Sequence, residues 1–205
     1  MTSSSIIEIS ESALRNNIGF LKNNLGASCQ LSAVVKGNAY GHGIRAYVPL
    51  AEKCGVNHFS VFSADEAFNA KEVLKGSHLM IMGFIDRSDL QWVIENDVSF
   101  FVFERVRLES ALEIAKKLRK PARIHIEFDT GMNRTGFTKK ELKPLIEIIK
   151  SNQEHLIMEG FSTHYAGAES VANDVRVRQQ IKTFKQLDGW MGKNGVVPKT
   201  RHTAC

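Results

Sequence analysis

A chain of 205 residues, with 43% hydrophobic residues, 24% charged residues and 15 glycines, has ordinary globular proportions. Those proportions argue against disordered, collagen-like and membrane classes, and the length suffices to bury a core without staples. The formal net charge of +5 does not mark a nucleic-acid binder, because the basic residues are spread along predicted helices, though a mild positive field suits an anionic ligand such as a phosphate.

The elements alternate from one end to the other. A brief strand is expected at residues 6–9, then a helix with Leu14, Ile18, Leu21 and Leu25 on one face. Short apolar runs at 31–35, 58–62, 79–82, 100–103, 124–128, 158–162 and 200–204 read as buried strands. Between them, Ser63 with Glu66, Ser88 with Gln91, and Thr138 with Glu141 read as capping boxes that open helices. Apolar stripes follow: Leu108, Ala111, Leu112, Ala115 and Leu118; then Leu142, Leu145, Ile146 and Ile149; then Val177, Ile181, Phe184, Leu187 and Met191. The basic run 116–120 (KKLRK) closes one of these helices, where cations complement the helix dipole.

Setting 6–9 aside, seven strands alternate with helices. Such alternation implies a parallel sheet, either doubly wound or closed as a barrel, and periodicity does not separate the two. A full eight-unit barrel takes about 250 residues, or roughly 30 per unit, so 205 residues hold about seven units. No Gly/Ser-rich linker interrupts the chain, and the expected division is residues 1–9 and residues 10–205.

Cys29, Cys54 and Cys205 are odd in number and far apart, so neither a disulfide framework nor a metal site is expected. The first two are expected to be small buried hydrophobes. The start, MTSSSIIEIS, lacks a signal-peptide pattern, and no apolar run approaches the ~20 residues that span a bilayer. A cytoplasmic protein with no membrane and no nucleic-acid partner is expected.

Four segments could carry chemistry. Residues 33–43, AVVKGNAYGHG, place Lys36 directly after a strand, at the end where barrel active sites lie. A partly desolvated lysine there can act as a nucleophilic amine toward a carbonyl; the bland alternative is a solvated lysine before a turn. Residues 127–136, EFDTGMNRTG, carry Arg134 between glycines, either as a planar donor for a carboxylate or phenolate or as one half of a weak surface ion pair. Residues 160–167, GFSTHYAG, place His164 just beyond a strand, and a terminal HTAC ends the chain. Each is ambiguous singly, but all four fall at the same end of successive strands.

At these residues the chain resembles the alanine racemase family, in its pyridoxal-phosphate (PLP) binding barrel domain, from IIEISESALRNNI to the terminal HTAC. The resemblance implies an α/β fold, a TIM-like barrel incomplete in this chain, with about seven β/α units. It implies that Lys36 forms a Schiff base with PLP and serves as one of two catalytic bases. Tyr40 would bond the cofactor phosphate. Arg134 would contact the phenolic oxygen and the substrate carboxylate, His164 would lie by the pyridine ring, and Met82 would pack near it.

The activity implied is interconversion of L-alanine and D-alanine, a peptidoglycan precursor, on a small amino-acid substrate, in a homodimer. The second base would be a tyrosine from the C-terminal domain of a second subunit, so the 205-residue chain by itself is expected to be inactive or nearly so. Residues 1–9 would associate with that C-terminal domain. Two departures stand out. Glu127 occupies the place of a lysine that many members carry as a carbamate, and it offers the same charge to position Arg134. Cys205 stands where an asparagine near the phosphate is usual. The alternatives are a racemase for another amino acid such as serine, and a non-catalytic single-domain PLP-binding barrel.

Overall fold

In a computed structural model of the chain, residues 5–26 and 28–205 are described. They divide into two compact units, Met1–Ile85 and Asp86–Cys205.

The first unit runs α1 (Glu11–Leu25), β1 (Ala33–Val34), a five-residue helical turn α2 (Lys36–Tyr40), α3 (Ile44–Lys53), β2 (His58–Val61), α4 (Ala64–Lys71) and β3 (His78–Ile81). Strands β1, β2 and β3 pair parallel in chain order, with Val34 beside Ser60 and Ser60 beside Met80. Alternation along β2 sends Phe59 and Val61, both fully buried, to one side. The other side is polar: Ser32 Oγ lies 2.7 Å from Ser60 Oγ and 2.7 Å from His58 Nδ1.

The second unit runs α5 (Arg87–Glu95), β4 (Ser99–Val102), α6 (Arg105–Leu118), β5 (Ala122–Glu127), α7 (Leu142–Lys150), β6 (Leu156–His164), α8 (Asp174–Lys193) and β7 (Thr200–Ala204). Its four strands are again parallel in chain order, with a bulge between Ile124 and His125. In β5 the residues Ala122, Ile124 and Ile126 are fully buried, and Arg123, His125 and Glu127 take the opposite face. There His125 Nδ1 lies 3.0 Å from His202 Nε2 of β7. Helix α7 buries Leu142, Leu145, Ile146 and Ile149 as one stripe, as expected from its periodicity.

All seven strands read from the sequence lie within two residues of their expected places. Residues 6–9 form no strand; a strand needs a ladder partner, and among the described residues this segment has none, leaving Ile6 80% exposed. Of the three expected capping boxes only Thr138–Glu141 forms, with Thr138 N and Oγ1 at 2.8 and 2.7 Å from Glu141 Oε2. Ser88 falls inside α5, which begins after Asp86, and Ser63 makes no side-chain cap bond. Cys29, expected in the core, is exposed; Cys54 is buried. The Thr138→Ala variant is expected to lose about 1 kcal/mol of stability, read as a lower urea midpoint with an unchanged slope. No helix among the described residues is long and apolar enough to cross a membrane.

Candidate functional site

The first group of candidate residues sits at the C-terminal ends of β1 and β3. Val35 continues β1 by donating its N–H to Ser60 O at 2.8 Å, and Lys36 follows it, exposed. The chain then turns left-handed: φ is 61° at Gly37, 53° at Asn38, 56° at Ala39 and 53° at Tyr40. For residues with a Cβ this conformation costs roughly 1–2 kcal/mol each, so surrounding bonds must hold it. Ala39 N donates to Val35 O at 2.8 Å, Gly43 N to Asn38 O at 2.9 Å, and Ile44 N to Asn38 Oδ1 at 2.9 Å. Gly41 and Gly43, with φ of 90° and 87°, complete the turn. The turn presents Tyr40 65% exposed. Met82, half-buried, follows β3, its N–H bonded to Val61 O at 2.9 Å.

The second group sits at the C-terminal ends of β5, β6 and β7. Glu127, the last residue of β5, is only 5% exposed. The loop after it is closed at its base by Phe137 N to Glu127 O (2.8 Å) and Asp129 N to Phe137 O (3.1 Å). Asp129 Oδ1 accepts the N–H groups of Gly131 and Asn133 at 2.9 and 3.0 Å. Gly136, at φ 113°, passes so close that a Cβ would lie 2.5 Å from Asp129 N. This rigid loop carries Arg134 exposed. Glu127 Oε2 accepts the Thr135 hydroxyl at 3.0 Å rather than a bond from Arg134, whose influence on it is electrostatic. Burial pushes the Glu127 carboxyl above its ordinary value, and Asp129 adds to this, against the opposing pull of the Thr135 bond and the Arg134 charge.

His164 ends β6, half-buried, beside Ala204 of β7. Cys205 follows, exposed, with Sγ 2.9 Å from Glu169 Oε2. The structure therefore gathers Lys36, Tyr40 and Met82 in one unit, and Glu127, Arg134, His164 and Cys205 in the other.

Sequence reasoning missed Gln180. This side chain, 1% exposed on α8, donates to His164 O at 3.1 Å and Thr130 Oγ1 at 3.3 Å, and accepts from Ala166 N at 2.9 Å. It thus ties the loop after β6 to the loop after β5. The signal was helical spacing: the buried residues of α8 are Gln180, Phe184, Leu187 and Met191. A polar residue on that stripe must find partners. Ser162, 2% exposed on β6, has an Oγ with no hydrogen-bond partner among the described residues.

Comparison with known proteins gives consistent matches. Residues 9–205 match the model of the family described as alanine racemase, N-terminal domain. An alanine racemase of Listeria monocytogenes is 34% identical over 200 residues, covering 97% of this chain and 53% of that protein. One of Methanococcus maripaludis is 30% identical over 199 residues, covering 96% and 52%. The solved alanine racemase of Clostridium difficile superposes with a TM-score of 0.86 at 27% identity, covering 94% of this chain and 50% of that one. The chain thus spans about half the length of the curated relatives it matches. The fold class read from the sequence, an incomplete TIM-like α/β barrel with seven parallel strands, is the one these matches show.

Proposed function

The chain belongs to the alanine racemase family, matching its N-terminal domain, and on that premise we propose that it is the PLP-binding part of an enzyme that interconverts L-alanine and D-alanine. The observation that carries this reading is Lys36, exposed at the C-terminal end of β1 and followed by a left-handed turn that ends on Tyr40.

The donor set fits the cofactor. Among the described residues Lys36 Nζ, the Tyr40 hydroxyl and the Arg134 guanidinium make no hydrogen bond, so the first unit offers an amine and a phenol, and the second a planar cation and an unpaired buried Ser162 hydroxyl. These match an aldehyde, a phosphate and a phenolate or carboxylate in turn. When bound, PLP supplies an electron sink that makes the α-proton of an amino acid acidic.

Lys36 Nζ would hold the aldehyde group and, when free, would be the atom that takes or returns the α-proton on one face. Tyr40 would donate to the phosphate, and Cys205 would contribute to the same group. Arg134, on its closed loop, orients the phenolic oxygen and the substrate carboxylate. Glu127 attends Arg134 through charge. His164 and Met82 would border the ring. Residues 10–205 form the cofactor domain, residues 1–9, of which 1–4 lie outside the described residues, associate with a C-terminal domain, and the working protein is a cytoplasmic homodimer.

Incubation with PLP, borohydride reduction and peptide mapping test the reading. One pyridoxyl group on the peptide that contains Lys36 is expected, and a chain that takes up no PLP sinks it. The second base of the family's chemistry belongs to a C-terminal domain outside the matched region. The 205-residue chain by itself is therefore expected to form only traces of D-alanine from L-alanine in a chiral assay. Turnover at an ordinary enzyme rate of about 1 per second or more would overturn the assignment of that base.

A further inference from the structure

Glu66 stands in the first turn of α4, where an acid is favoured by the helix dipole, yet its carboxylate serves another part of the chain. Its Oε1 accepts the N–H of Gly37 at 2.6 Å and of Asn38 at 3.4 Å, and its Oε2 accepts the N–H of Phe62 at 2.9 Å. Gly37 and Asn38 are the two residues directly after Lys36, and Phe62 is the residue directly after β2. A single carboxylate thus joins the C-terminal ends of two neighbouring strands. The N–H groups it takes open the left-handed turn, whose successive amides form a concave cradle for a negative charge.

We propose that Glu66 is a positioning residue for Lys36. By clamping the peptide on the C-terminal side of Lys36 to the end of β2, it stabilises the left-handed turn and fixes the direction in which the lysine leaves the strand. This rests on the reading that Lys36 holds PLP. The charge and both oxygens are needed, because three N–H donors converge on the carboxylate from two directions. In Glu66→Gln one oxygen becomes an NH₂ group that must face an N–H, so half of the clamp is lost; in Glu66→Ala all of it is lost.

The test compares the full wild-type chain with Glu66→Gln, Glu66→Ala, Lys36→Ala and Ser63→Ala. Two quantities are read: the rate at which borohydride traps PLP on Lys36, and the induced circular dichroism of the bound cofactor band at saturation. Loss of a hydrogen bond to a charged acceptor corresponds to about a tenfold change. Trapping is expected to slow about tenfold in Glu66→Ala and a few-fold in Glu66→Gln, with the induced band weakened in both. A role confined to fold stability would leave that band intact once the chain is saturated and folded. Ser63→Ala, which removes no side-chain cap bond, is expected to behave as wild type.

Wild-type rate and band in both Glu66 variants would overturn the proposal. If far-ultraviolet dichroism shows Glu66→Ala to be unfolded, Glu66→Gln decides alone. A wild-type chain that takes no label overturns the Lys36 reading, and this inference with it, which is a different result from labelling that is insensitive to Glu66.

Discussion

Lys36→Ala is expected to abolish covalent capture of PLP and to leave the fold intact. Lys36 is exposed, and its amine makes no hydrogen bond or ion pair among the described residues. A surface change of this kind moves stability by no more than about 0.5 kcal/mol. The loss would therefore belong to the chemistry. Without the amine only contacts to the phosphate and ring remain, and apparent affinity for PLP is expected to fall on the order of a hundredfold, equivalent to about 2.7 kcal/mol. Lys36→Arg is expected to fail equally, because a guanidinium stays protonated and adds no nucleophilic amine. The measurement is a PLP titration followed by absorbance, with reduction and mapping at saturation. Undiminished adduct in Lys36→Ala, on any of the other lysines, would show that the holding residue is elsewhere.

The same lysine shows how far the sequence could be read. Its strand, like the other six, was legible because short apolar runs flanked by turn residues have few alternatives at 4–8 residues. Residues 6–9 have the pattern of a strand, but a strand is a relation between two segments, and no partner for it is present among the described residues. The S-x-x-E pattern at Ser63 and Glu66 reads as a local cap, whereas the carboxylate reaches Gly37, 29 residues away. A motif rule weighs only bonds within four residues, and here the strained turn after Lys36 competes for the same acid. Gln180 is hidden for the opposite reason. A stripe drawn from hydrophobic residues selected Val177 and Ile181, both only half-buried, and skipped the glutamine at the core position. Polar hubs of this kind show in a sequence only as an interruption of a stripe.

Glu127→Gln is expected to stabilise the chain at neutral pH and to flatten the dependence of its stability on pH. Two effects compete at this carboxyl. Burial raises its pKa, and the Thr135 hydroxyl and the Arg134 charge lower it; burial wins, so the native value lies above the ordinary one. Between the unfolded value of about 4.3 and the higher native value, the native state keeps a proton that the unfolded chain releases. Stability is thus fully present below the unfolded value and is lost as pH rises through the native one. At neutral pH the unfolded chain is ionised at this carboxyl, whereas in the native state burial, relieved by the Thr135 hydrogen bond, disfavours the charge. Glutamine keeps the acceptor for Thr135 and does not titrate, so the loss of stability with rising pH at this position disappears. Urea unfolding from pH 4 to pH 8 checks this: the wild-type curve should fall with pH where the variant's stays level, and parallel curves would refute it. The gain has a functional cost, because Arg134 loses the negative charge beside it. Glu127→Gln is accordingly expected to hold PLP on Lys36 less tightly, so that one substitution moves stability and cofactor affinity in opposite directions. A residue that only packed the strand end would move them together.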